Sequence, residues 1–102
     1  MESVITRVVV NEGAEAEWQG VMRERMTAAE ALPGWVGGAI LAPQDDPRAR
    51  VIFGLWDTRS AWEQWHATPT FRETAERLTG LEADAGTATW NTVDYAAGRL
   101  QD

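Results

Sequence analysis

At 102 residues the chain is long enough for one domain, and its net charge of −7, with nine scattered arginines and no lysine, argues against nucleic acid or an anionic membrane as partner. It holds no cysteine, which excludes disulfides, thiolate nucleophiles and cysteine-ligated metals. No stretch reaches the length of a transmembrane helix, and the opening ten residues are too short and polar for a signal peptide, so a cytoplasmic protein is expected.

The β-branched run at 4–10 predicts a first strand, and Asn11-Glu12-Gly13 breaks it and offers a helix cap. Over 14–32 the apolar residues Trp18, Val21, Met22, Met26, Ala29 and Leu32 recur at helical spacing until Pro33-Gly34 stops them. A second strand is expected at 35–42, where Gly37 and Gly38 suggest a bulge or a close approach to the backbone. A hairpin loop at 43–49 leads to the most apolar strand, 50–56. The next helix, 59–67, takes Thr58 or Ser60 as its cap, with Ser60 and Glu63 at capping-box spacing. Thr68-Pro69 starts another helix, with Phe71, Ala75 and Leu78 as its buried stripe, Glu73 and Arg77 paired outside and Gly80 as its stop. After a loop at 81–85, residues 86–96 read as a fourth strand and 97–102 as a polar tail.

The order is β-α-β-β-α-β, a ferredoxin-like α+β domain spanning 1–102 with its core at 4–96 and a four-stranded antiparallel sheet. Both helical segments cover one face of that sheet. Strands 4–10 and 50–56 are nevertheless apolar on both faces, and the chain has nothing left to cover the second. Sheet-on-sheet packing of two copies, a homodimer, follows from that pattern.

Trp62, Trp65 and His66 share one side of a short helix, away from Arg59 and Glu63. They form either an aromatic pocket wall or the packing face of that helix. His66 is the only histidine, hence the only side chain with an unperturbed pKa near neutrality. Thr6 and Arg7 interrupt an apolar strand and point to opposite faces, so each needs a polar partner. Asn91, Asp94 and Tyr95 on the last strand are further candidates to orient a phenol or ketone. Asp45-Asp46 reads as a turn, and no metal-ligand spacing, phosphate loop or Ser-His-Asp order occurs.

Pro33-Gly34-Trp35-Val36-Gly37, Trp56-Asp57-Thr58 ahead of Trp62-Glu63-Gln64-Trp65, and Thr68-Pro69-Thr70-Phe71-Arg72 together resemble the antibiotic biosynthesis monooxygenase family of dimeric α+β barrels. The resemblance implies a monooxygenase that acts on a phenolic or polycyclic aromatic substrate with molecular oxygen and no cofactor or metal. It implies that Trp65, with Thr6, His66 and Asn91, forms the catalytic group, and that Trp62, Phe71 and Trp35 bind the substrate. A non-oxygenase member binding a small metabolite is the alternative. Haem degradation fits poorly, because the axial histidine of the haem-degrading relatives falls at Ala75 and their first-strand asparagine at Thr6.

Overall fold

In the computed structural model, which describes residues 1–98, a single antiparallel sheet carries three helices on one face. The elements run β1 (Glu2–Val10), α1 (Glu15–Glu30), β2 (Trp35–Leu41), β3 (Ala49–Trp56), α2 (Arg59–His66), α3 (Pro69–Thr79), β4 (Glu82–Asp84) and β5 (Ala88–Thr92). The spatial order is β2-β3-β1-β4, with β5 also on β1. Among the described residues no helix is long and apolar enough to cross a membrane. Residues 99–102, most of the expected polar tail, lie outside the described residues.

The helix starts follow local chemistry. Thr58 caps α2, its Oγ1 accepting from the Ala61 N–H at 3.2 Å, and Glu63 turns to Arg59 at 3.6 Å instead of closing a box with Ser60. Thr68 caps α3 by accepting from the Phe71 N–H at 3.2 Å, with Pro69 in the first turn. Its hydroxyl donates back to the Trp65 carbonyl at 2.7 Å, tying the end of α2 to the start of α3. α1 differs from expectation. Its N-cap is Ala14, whose side chain has no acceptor to offer, and Asn11 instead donates its amide N–H to the Gly80 carbonyl at the end of α3 at 3.2 Å.

Register separates the two sheet faces. Val4, Thr6, Val8 and Val10 of β1 stand on the helical face with Ile52, Gly54 and Trp56 of β3. Val8 and Val10 pack with Trp18, Val21, Met22 and Leu78 in one cluster, and Val4 with Ala29, Trp56, Ala61 and Trp65 in a second. The opposite face presents Ile5, Val9, Val51 and Phe53, all only half-buried, beside exposed Leu41. Both expectations for β2 hold. The register slips at Val36, and a Cβ on Gly38 would press on the Trp35 ring and the Phe53 carbonyl.

The last strand is where sequence and structure part. Instead of one strand at 86–96, β4 pairs with Val9 and Val10, and β5 pairs with Glu2–Thr6, leaving five strands on four tracks. The break turns at Gly86, which has φ +68° and whose N–H donates to Asp84 Oδ1 at 2.8 Å. A Cβ there would collide with the Arg7 carbonyl, so only glycine lets the two strands meet β1 along its whole length.

Candidate active-site cavity

A cavity of about 380 Å³ lies between the helical layer and the sheet. That is within the size range of small-molecule sites. Four of the six tryptophans line it: Trp35 and Trp56, edge-to-face at 5.1 Å, and Trp62 and Trp65 from α2. Phe71, Met22 and Met26 add to the apolar wall, while Thr6, Arg25, His66, Thr79 and Glu82 are the polar residues that reach it.

His66 sits in a ladder of rings. Its imidazole lies 3.7 Å from the Trp62 centroid and 3.9 Å from that of Phe71. Trp90 meets Trp62 edge-on at 4.7 Å, and the ladder ends under an arginine on each side, Arg59 over Trp90 and Arg25 over Phe71 at 4.4 Å. His66 Nδ1 is 3.0 Å from the Trp62 carbonyl, which can only accept, so Nδ1 carries the proton and Nε2 keeps its lone pair. Burial holds the histidine below its ordinary pKa and nearby Arg25 adds to that, against the opposing pull of the Trp62 carbonyl and Glu63. At neutral pH His66 is therefore an uncharged acceptor.

Glu82 is the cavity's carboxylate. Its Oε2 accepts from Nε1 of Trp18, a side chain fully removed from solvent, at 2.8 Å. Burial nonetheless raises Glu82 above the usual carboxylate range, with the Trp18 hydrogen bond and Arg25 opposing. A group that is easier to protonate folded than unfolded loses stability as pH rises above its unfolded pKa. Glu82→Gln keeps an acceptor for Trp18 and removes that charge. It should raise the melting temperature at pH 7–8, with the gain shrinking as pH falls toward the ordinary carboxylate pKa of about 4.5. A variant that melts lower than the parent at both ends of that range would contradict this account.

The expected site residues divide along the sheet. Thr6, Trp35, Trp62, Trp65, His66 and Phe71 all line the cavity. Asn91 does not: it pairs with Ser3 in the register that turns Trp90 toward the helices, so its exposed side chain lies on the other face. Asp94 and Tyr95 follow the end of β5 and are exposed, Tyr95 at 84%. Arg7, on the face away from the cavity, pairs with Asp46 of its own chain at 3.2 Å, and Asp46 Oδ1 also accepts from the Arg48 N–H. Among the described residues no cluster of ligands suited to a metal ion occurs.

Sequence reasoning missed Arg25 and Glu82. Arg25 reads as a basic residue on a surface helix, and Glu82 as part of a loop. A signal was present in Arg25, which falls four residues after Val21, three after Met22 and four before Ala29, and so within the apolar stripe of the helix.

The comparisons with known proteins follow the same architecture. The chain superposes on a protein of Nitrosomonas europaea described as an antibiotic biosynthesis monooxygenase with a TM-score of 0.89 and 18% identity, over 95% of this chain and 93% of that one. It superposes on SnoaB, a cofactor-independent oxygenase from Streptomyces nogalater, with a TM-score of 0.82 and 23% identity, over 93% and 94%. For Rv0793 from Mycobacterium tuberculosis the TM-score is 0.84 at 18% identity, over 94% and 98%. At these identities the likeness establishes the fold. No curated protein matches the sequence. The family model for antibiotic biosynthesis monooxygenase matches residues 1–77, three quarters of the chain, and with the fold and cavity above it the chain belongs to that family.

Proposed function

We propose that the protein is a cofactor-independent monooxygenase of phenolic or polycyclic aromatic substrates. The observation that carries this reading is the cavity itself, a slot walled by four tryptophans into which a few polar groups converge, in a chain of monooxygenase family membership. An electron-rich phenolate can pass an electron to molecular oxygen without a cofactor. The protein's part is then to bind the ring, favour its anion and keep water out.

In this reading Trp65 and Trp62 flank the ring, the Thr6 hydroxyl donates to one of its oxygens, and the free Nε2 of His66 accepts from a ring hydroxyl. Glu82, whose carboxyl takes a proton more readily than usual, accepts the proton of the substrate hydroxyl. The phenolate carbon then bonds to oxygen. One oxygen atom stays as a quinone carbonyl, and the other leaves as water with the ring hydrogen and the hydroxyl proton. Asn91, on the far face, has no part in this scheme.

The half-buried apolar residues of that far face, Ile5, Val51 and Phe53 among them, support the homodimer, formed by packing this face on its copy. We take the enzyme to act in the cytoplasm, as its composition leads one to expect.

Oxygen-electrode measurement with a hydroxyanthrone as substrate tests the reaction. Saturable uptake of one oxygen molecule per substrate is expected, from a species of twice the 11.3 kDa chain mass in light scattering. Tight binding of the anthrone without oxygen uptake would instead favour a metabolite-binding member of the family.

A further inference from the structure

Arg25 is held as a half-buried anchor. Its Nε donates to Thr74 Oγ1 at 2.8 Å and its Nη2 to the Phe71 carbonyl at 3.2 Å, while the guanidinium plane rests on the Phe71 ring. Thr74 is itself fully buried and donates its hydroxyl proton to the Thr70 carbonyl at 2.6 Å, so its lone pairs face Arg25. Three contacts to one turn of α3 therefore fix the orientation of a side chain that arises from α1. Among the described residues Arg25 closes no ion pair, and its Nη1 donates no hydrogen bond.

An arginine in this setting is unusual. Guanidinium stays charged in proteins, and burying a charge without a counter-ion is costly unless something else supplies one. Glu82 acts on it only from a distance, and burial dominates over that help. The other groups near the site supply no anion. His66 is neutral, and Thr6 and Thr79 are hydroxyls. Arg25 lines a cavity whose remaining wall is mostly apolar, and its Nη1 is left to be satisfied there.

We propose that Arg25 is the anion anchor of the cavity, and that the ligand is an aromatic compound bound through an oxyanion on its ring system, a carboxylate or a phenolate, seated on Nη1. The proposal rests on the cavity being the substrate site and names the chemistry that the site selects. It also assigns Phe71 a second task. The Phe71 carbonyl and ring hold the guanidinium, so the residue that walls the pocket also aims its charge. A planar ring lying against Trp62 and Trp65 would carry its anion toward the α1–α3 seam.

The test is a binding comparison by tryptophan fluorescence, which the four cavity indoles report. Naphthoate, a nitronaphthol that is ionised at neutral pH, and the uncharged naphthylmethanol are titrated into the wild-type protein under nitrogen. One or both anions should bind about ten-fold or more tighter than the alcohol, the worth of one charged hydrogen bond, and the tighter of the two identifies the oxyanion. Arg25→Met should remove that preference while leaving naphthylmethanol binding within about three-fold. If R25M does not fold, R25K carries the same comparison, with a smaller preference of the same sign, because a point charge replaces the fork. Equal affinity of all three compounds for the wild type, or a preference that survives R25M, would overturn the proposal. Oxygen uptake without anion preference would retire Arg25 alone, whereas preference without uptake would retire the oxygenase.

Discussion

Trp18→Ala should strip the chain of a large part of its stability. Trp18 has no exposed surface and packs with Val8, Val10, Val21, Met22 and Leu78. Truncating a buried tryptophan costs about 3–5 kcal/mol, and a domain of this size has about 5–15 kcal/mol in total. The change also strips Glu82 of its only hydrogen-bond donor among the described residues, leaving a half-buried carboxylate with the more distant Arg25 as its remaining support. Trp18→Phe narrows the question, since it keeps a six-membered ring in the core while removing Nε1 and part of the fused ring. It should cost about 1–3 kcal/mol and fold. Urea unfolding followed by far-UV circular dichroism reads both variants. An alanine variant within about 1 kcal/mol of wild type would show that the first core cluster is not what holds α1 to the sheet.

Trp65→Ala should damage both stability and ligand binding. Trp65 is 7% exposed, packs with Val4, Ala29, Trp56 and Ala61, and meets Phe71 edge-on at 5.5 Å. It is thus a core residue that also walls the cavity. Removing the indole should cost about 3 kcal/mol in a thermal or urea melt, and loosen a bound naphthoate or anthrone by about 1–2 kcal/mol per folded molecule. The space left merges with the existing cavity instead of forming a sealed void, which holds the stability loss toward the lower end of the range for aromatic truncation. A large fall in melting temperature with unchanged affinity would confine Trp65 to packing. His66→Ala on the same helix is the control, and should lower oxygen uptake less than Trp65→Ala does.

The helices and the first three strands were legible because each is written in local chemistry: β-branched runs, helical spacing, Thr58 and Thr68 ahead of their helices, Pro33-Gly34 and Gly80 at the stops. The aromatic half of the site was legible too, since Trp62, Trp65 and His66 fall on one side of a single short helix. The charged half was not. Arg25 is held by Thr74 and Phe71, 49 and 46 positions further along, and Glu82 by Trp18, 64 positions before it. No window of sequence contains both partners. Asn91 went astray for a related reason, since which face a residue takes depends on strand register, and the register of the last strand is set by Gly86 against the backbone of Arg7. A polar residue between Trp90 and Thr92 looks equally suited to either side until that pairing is known.

The two irregular margins of the sheet bear on how the protein avoids polymerising. One margin is β2, with its slip at Val36 followed by Gly37 and Gly38; the other is the β4–β5 track, broken at Gly86 and slipped again between Val9 and Val10. A straight, unpaired margin invites a foreign strand to zip on, as in amyloid growth, and each slip twists the backbone amides out of the line that such growth needs. The chain can therefore carry an apolar face without also offering a sticky rim. The open ribbon that a flatter sheet of the same composition would build is disfavoured.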